Sequence, residues 1–234
     1  MAARLRQSLE HQLVELQESI LLMGSYVAQM LDQSMQALVR QDAAAAAAAI
    51  EMDDTADRMN REIERACVRL LALHHPMARD LRIITGALMI VTDLERIADY
   101  AVDIAKTARR LAEEPYFQPV PGLDRMTRAV TWMVQEAIHA YVERDLDLVT
   151  QVIARDDEVD DWYDGIFTSL LTRMEQDPQS LRPGIWLIHV ARFLERIADH
   201  AVNVVERVYY VEAGDLVPLD RKQKITVPLN GHHL

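Results

Sequence analysis

The stretch LERIADYAV, Leu94 to Val102, returns as LERIADHAV, Leu194 to Val202. The copies lie 100 positions apart and differ only at Tyr100 and His200. Each sets oxygen-bearing side chains four residues apart: Glu95, Asp99 and Asp103 in the first, Glu195, Asp199 and Asn203 in the second. A four-residue step on an α-helix leaves a net rotation of about 40° and a rise of about 6 Å, so each trio forms a narrow stripe. Around the second copy, Leu187, Val190, Leu194, Ala198, Ala201 and Val205 share one broad apolar face. Glu195 and Asp199 fall at the edge of that face and Asn203 farther round. A helix that buries the face therefore holds its carboxylates beside the core.

Upstream of each copy stands a second acidic motif of form D-D-x-x-D, Asp53, Asp54 and Asp57 in one case and Asp156, Asp157 and Asp160 in the other. Two motifs recurring in one order imply a duplicated unit of three helices, folded up-down-up because its connections are short. In the first unit, Leu9, Leu13, Leu16, Ile20, Met23, Val27, Leu31 and Leu38 carry three- and four-residue steps to a helix end near Arg40. Asp42 is placed to cap the next helix. The alanine run Ala43–Ala49 reads as the close-packed start of that helix, which continues past the Asp cluster to His74. A turn at Pro76 leads into the helix of the first LERIAD copy, which runs to about Leu111.

EEPYFQPVPG, residues 113–122, has three prolines and a glycine and cannot be one helix. The second unit begins with Met126, Val130, Met133, Ala137 and Tyr141 on one face and breaks near Arg144. A helix with the second Asp cluster follows, then DPQSLRPG (177–184), read as a loop, then a helix from about Ile185 to Glu212. The expected fold is all-α: two tandem, pseudo-symmetric three-helix bundles, residues 1–112 and 123–213, a linker at 113–122 and a flexible tail at 214–234.

Composition agrees. Aromatic residues are 6% and glycines seven, as a helical rather than a sheet protein requires. A formal net charge of −12 disfavours a nucleic-acid partner. Cys67, the single cysteine, excludes an intramolecular disulfide and a Cys-rich zinc site, and its helical position predicts a buried thiol. No run reaches the roughly 20 apolar residues of a membrane span. The expected location is cytoplasmic, with membrane contact only through partners. Long apolar stripes allow a homodimer.

Taken singly, the acids are a polar flank, with Arg192 beside Glu195 and Arg196 beside Asp199 at pairing distance on the helix. The duplication argues for more. If the second and third helices of a unit meet antiparallel, Asp53 and Asp57 face Glu95 and Asp99, and Asp156 and Asp160 face Glu195 and Asp199. Crowded carboxylates raise one another's pKa, and a bound cation removes the conflict. All-oxygen ligation suits Mg, Mn, Fe or Ca, while zinc more often recruits N or S donors. A carboxylate-bridged metalloenzyme and a metal-free helical scaffold are the alternatives. A di-iron centre needs two Glu-x-x-His motifs, and Glu136–His139 is one without a second. No P-loop, GxSxG or dinucleotide fingerprint is present, so an enzyme is the weaker reading.

LERIADYAV and LERIADHAVN, each after a helix with a DDxxD cluster, resemble the PhoU family of phosphate-uptake regulators, in order over about residues 10–212. The segments HHPMARDLRIITGALMIVTDLERIADYAVDIA and VIARDDEVDDWYDGIFTSLL fit the same pattern. The resemblance implies two similar three-helix bundles with multinuclear metal sites holding Fe, Zn, Mn, Mg or a similar ion. By position, the implied ligands are Asp53, Asp57, Glu95, Asp99 and Asp103, and Asp156, Asp160, Glu195, Asp199 and Asn203. The family often has Asn where this chain has Asp103. The resemblance also implies a non-catalytic adaptor between a phosphate ABC transporter, through its ATPase subunit, and a sensor histidine kinase. Such an adaptor restrains uptake and starvation signalling when phosphate is plentiful.

Overall fold

The computed structural model describes residues 2–114 and 120–214. Its helices are α1 (Ala2–Arg40), α2 (Ala43–Glu51), α3 (Asp53–His74), α4 (Ala78–Leu111), α5 (Leu123–Glu143), α6 (Leu146–Gln176) and α7 (Leu181–Ala213), with one 3₁₀ turn at Pro178–Ser180. They form an all-α pair of three-helix bundles. One is α1, the α2–α3 rod and α4; the other is α5, α6 and α7. Half of the predicted linker (115–119) and the predicted tail beyond Gly214 lie outside the described residues.

The apolar periodicity of α1 is realised: Leu9, Leu13, Leu16, Ile20, Met23, Val27, Leu31 and Leu38 are all buried. Gln41 takes a left-handed φ of 50° and ends the helix. Its Nε2 donates to the carbonyls of Leu111 and Glu114, at 2.9 and 3.4 Å, closing the far end of α4. The Asp42 carboxylate accepts from the amides of Ala44 and Ala45 and starts α2. Ala46 and Ala49 are buried there, where small side chains let the helix pack closely.

Two expectations about element limits change. The second helix is not continuous: it divides at Met52, whose carbonyl accepts from the Tyr26 hydroxyl at 3.2 Å and, in a tight i+3 bond, from Thr55 N at 3.1 Å. Residues 177–184 are not a loop. Asp177 caps the 3₁₀ turn through Gln179 N, and α7 starts at Leu181. Pro183 sits in the first turn of α7, where the missing N–H would have no helical partner. The break near Arg144 is as expected, with Arg144 left-handed (φ 58°) and Asp145 capping α6.

The LERIAD helices are the centre of the molecule. α4 packs on α1, α2, α3 and α7, and α7 on α4, α5 and α6. They run antiparallel: Arg79, near the start of α4, donates to Glu212 at the end of α7, at 2.7 Å. At the other end the Arg110 guanidinium lies 4.6 Å from the centre of the Trp186 ring. Midway, Tyr100 stacks on Phe193 at 5.9 Å. Leu94, Ile97, Leu194 and Ile197 are fully buried. Each contributes about 1.5–3 kcal/mol, several times an exposed ion pair, so the apolar face sets the rotation of each helix and the acidic stripe follows.

Across the other contact between bundles, α1 meets α5 at Gly24, where an added Cβ would stand 2.5 Å from Cγ1 of Ile138. Gly165 on α6, by contrast, has nothing within 4 Å of such an atom. Gly24→Val is therefore expected to lower stability by about 2–3 kcal/mol through overpacking. Gly165→Ala is expected to raise it by about 0.5–1 kcal/mol through helix propensity. Urea denaturation of both variants checks the opposite signs, and Ile138→Ala should recover part of the Gly24→Val loss.

Candidate functional site

Within each bundle the second and third helices meet as the duplicated motifs require. Burial raises the pKa of the Asp53 carboxyl, and the charges of Asp57, Asp99 and Asp54 raise it further against the opposing Lys106. Burial raises Glu95 as well, with Asp99, Asp57 and Asp53 adding to the shift and Arg96 opposing it. Asp53 and Asp57 on α3 thus share one electrostatic groove with Glu95 and Asp99 on α4. Glu195 repeats the pattern: burial raises its pKa, Arg192 opposes, and Asp199 and Asp160 add to it. Asp156 is the one buried member of the whole set, 4% exposed.

The carboxylates are also in contact with cations of their own helices. Arg61 Nη1 lies 3.1 Å from Asp57 Oδ2, and Arg96 Nη1 lies 3.1 Å from Asp99 Oδ2. Lys106 Nζ is 3.1 Å from Asp103 Oδ1. In the second bundle Arg192 pairs with Glu195, and Arg196 Nη1 lies 3.8 Å from Asp199 Oδ2. Among the described residues, no three His, Cys, Asp or Glu side chains are gathered so that they could enclose an ion in these rotamers.

The donor set nevertheless suits a hard cation in its chemistry. All ten positions offer oxygen, and three carboxyls are already pushed toward the neutral form by burial, with neighbouring carboxylates adding to the shift. The competing arginines sit on the solvent side: Arg61, Arg96 and Arg196 have side chains 55, 56 and 47% exposed. Such pairs are worth about 0.2–1 kcal/mol each, little resistance to a rotamer change.

The fifth member of each stripe behaves differently in the two bundles. Asp103 lines a shallow open depression with Asp53, Asp99, Arg96, Tyr100 and Lys106. Asn203 instead donates through Nδ2 to Oδ1 of Asp93 on α4, at 3.1 Å, and His200 Nδ1 meets the same oxygen at 2.8 Å. Asp93 was not singled out from the sequence. The signal was the one difference between the LERIAD copies, Tyr100 against His200, because these residues face each other at the helix pair, ring centres 5.8 Å apart. Glu136 and His139 do form a surface pair, 3.4 Å apart. Cys67 is buried, and burial pushes its thiol up to about 12.

A PhoU domain family model matches the chain twice, over residues 20–108 and 123–208. The phosphate-specific transport system accessory protein PhoU homolog of Clostridium acetobutylicum is 40% identical over 216 residues, 92% of this chain and 99% of that protein. Its Aquifex aeolicus counterpart is 39% identical over 88% of this chain and 93% of its own length. Among solved structures, PhoU from Pseudomonas aeruginosa superposes with a TM-score of 0.85 at 35% identity, covering 88% of this chain and 99% of that one. The phosphate transport system regulatory protein PhoU from Streptococcus pneumoniae gives 0.83 at 27% identity, covering 90% and 100%.

Burial and crowding in the grooves have a pH signature. Asp53, Glu95 and Glu195 titrate above their unfolded range, so the folded chain holds more protons than the unfolded chain across that interval. These groups therefore favour folding as pH falls through their raised pKa, with no further gain below about pH 4. In chelator at neutral pH, Glu95→Gln should raise the melting midpoint by about 1–3 °C. The difference should close as the pH approaches about 4, where wild-type Glu95 is itself protonated. Thermal melts across that range decide it.

Proposed function

The chain belongs to the PhoU family of phosphate-transport accessory proteins, and from that premise we propose that it is a metal-binding regulatory adaptor. In this reading it links the ATPase subunit of a phosphate ABC transporter to a sensor histidine kinase. It holds back uptake and starvation signalling when phosphate is abundant. It acts in the cytoplasm and does no chemistry of its own. Among the described residues, no helix is long and apolar enough to cross a membrane, which fits contact with the membrane through partners.

The observation that carries the metal part of this reading is the raised pKa of the same motif Glu in both bundles, Glu95 and Glu195, each beside an Asp of the preceding helix. A half-buried carboxylate set beside other carboxylates in both copies has a use where a cation is to be held. Asp53, Asp57, Glu95, Asp99 and Asp103 would hold Fe, Zn, Mn or Mg in the first groove, and Asp156, Asp160, Glu195, Asp199 and Asn203 in the second. A bound cation reverses the local sign and offers a docking point for phosphate or a partner carboxylate. The protein's own residues supply the oxygen donors, and the buried apolar faces of α4 and α7 fix where those donors stand.

Purified protein should carry metal, and Asp99→Ala and Asp199→Ala should each reduce it by about half, since each groove loses a central carboxylate. Elemental analysis of the two variants and their combination, beside wild type, gives the answer. Unchanged stoichiometry in the double variant would remove the metal from the proposal. Deletion of the gene should leave the phosphate-starvation response switched on in high phosphate, which tests the regulatory part separately.

A further inference from the structure

The first oxygen stripe ends in a carboxylate, Asp103, and the second in an amide, Asn203. Either oxygen of a carboxylate can face a cation. An amide has one oxygen and one NH2 group, so it serves as a ligand only when turned oxygen-first. Something must therefore hold Asn203 that Asp103 does not need. Asp93 of α4 reaches it across the central helix pair, accepting from Asn203 Nδ2 at 3.1 Å. The position equivalent to Asp93 on α7 is Phe193, whose side chain has no polar atom to play that part for Asp103.

The hydrogen bond decides which way the amide points. An ionised carboxylate only accepts, so Asn203 must present Nδ2 to Asp93, and its Oδ1 is left directed elsewhere. On the helix Asn203 lies about 40° round from Asp199 on one side and about 60° from His200 on the other. Turning the nitrogen to the His200 side leaves the oxygen on the Asp199 side. His200 secures the arrangement: its Nδ1 lies 2.8 Å from the same Asp93 oxygen, and its ring packs against Tyr100 with centres 5.8 Å apart. The side chains of Asp93 and His200 are 15 and 19% exposed, which shields these bonds from competing water. Asp93 stands two residues before Glu95, but two positions on a helix are about 200° apart. Glu95 therefore faces Asp53 and Asp57 of α3 while Asp93 faces α7.

We propose that Asp93 is a positioning residue for the second groove: from the first bundle it holds Asn203 with Oδ1 toward the cation that Asp156, Asp160, Glu195 and Asp199 would bind. This rests on the metal-binding reading given above and adds a residue outside both stripes. Groups that hold a metal's ligands in place matter nearly as much as the ligands themselves. The consequence runs against sequence order. A residue next but one to Glu95, a ligand candidate of the first groove, governs the metal of the second. The first groove is indifferent to it, because Asp103 offers an oxygen in either orientation.

Titration of the full chain with Mn2+, a cation that oxygen donors accept, tests it in proteins with one groove disabled. Asp99→Ala leaves the second groove and Asp199→Ala the first. Adding Asp93→Ala should weaken Mn2+ binding about tenfold or more in the Asp99→Ala protein and leave it unchanged in the Asp199→Ala protein. A merely structural loss at the helix pair would not single out the second groove. Asn203→Ala in the Asp99→Ala protein should cost as much as Asp93→Ala, and the two together no more than either, since both remove one interaction. In chelator, the side-chain amide signals of Asn203 in 15N NMR should shift on Asp93→Ala, which reads the hydrogen bond without metal. Equal losses in both grooves, a loss confined to the first, additive losses with Asn203→Ala, or an unmoved amide signal would each overturn the proposal and leave metal binding standing. Mn2+ bound by neither single-groove protein nor wild type would instead remove the metal reading, and this inference with it.

Discussion

Burial of the Leu-Ile-Ala face of LERIAD, once on α4 and once on α7, is the constraint on which the remaining geometry depends. Leu94, Ile97 and Ala98 and their counterparts Leu194, Ile197 and Ala198 are withdrawn from water almost completely. That rotation leaves Glu95, Asp99, Glu195 and Asp199 on the flank, where the Asp-bearing second helix of each bundle is the next neighbour. A quarter-turn of either helix would bury carboxylates in the core at a cost of several kcal/mol each. The position of the grooves is therefore a consequence of apolar packing, and the ion pairs within them are adjustments made afterwards.

The parts legible in the sequence were those fixed by period and repetition. The four-residue spacing of Glu95 and Asp99 requires one helical face, and the recurrence of DDxxD before it identifies the neighbouring helix. What could not be read depended on contacts between segments far apart in the chain. Nothing local predicts that the Tyr26 hydroxyl reaches the Met52 carbonyl 26 positions away and helps to divide the second helix. Pro and Gly in residues 177–184 favoured a loop, yet Pro183 is compatible with a first helical turn and only the cap at Asp177 shows where α7 begins. Asn203 looked like the end of an oxygen stripe. The antiparallel meeting of α4 with α7 sets it against Asp93, a partner 110 positions earlier.

That meeting also makes the two grooves unequal. In the first, Asp103 adds a carboxylate and Lys106 lies beside it, both in the depression that contains Asp53 and Asp99. In the second, the corresponding residue is an amide already engaged across the central helix pair, together with His200. Asp93 has Phe193 as its counterpart, which stacks on Tyr100 instead of accepting a hydrogen bond. One side of the pseudo-symmetric centre is thus aromatic and the other polar. In both grooves the LERIAD Glu stands beside an Asp of its own helix and an Asp of the preceding one, whereas the fifth position differs.

Duplication explains why such differences collect where they do. Two bundles that pack through α4 on α7 and α1 on α5 must keep matching core residues, because a change in one alters the fit of the other. Outward positions carry no such coupling. Arg58 and Asp161 occupy equivalent points on equivalent helices, and either charge is tolerated by the fold at a cost of a few tenths of a kcal/mol. A ridge free to change sign without loss of stability is the place where a pseudo-symmetric molecule can acquire direction. With Arg58 and Arg61 on one helix and Asp161 and Asp164 at the matching points of the other, its two halves stop being interchangeable to anything that approaches from outside, although the core within still treats them as copies.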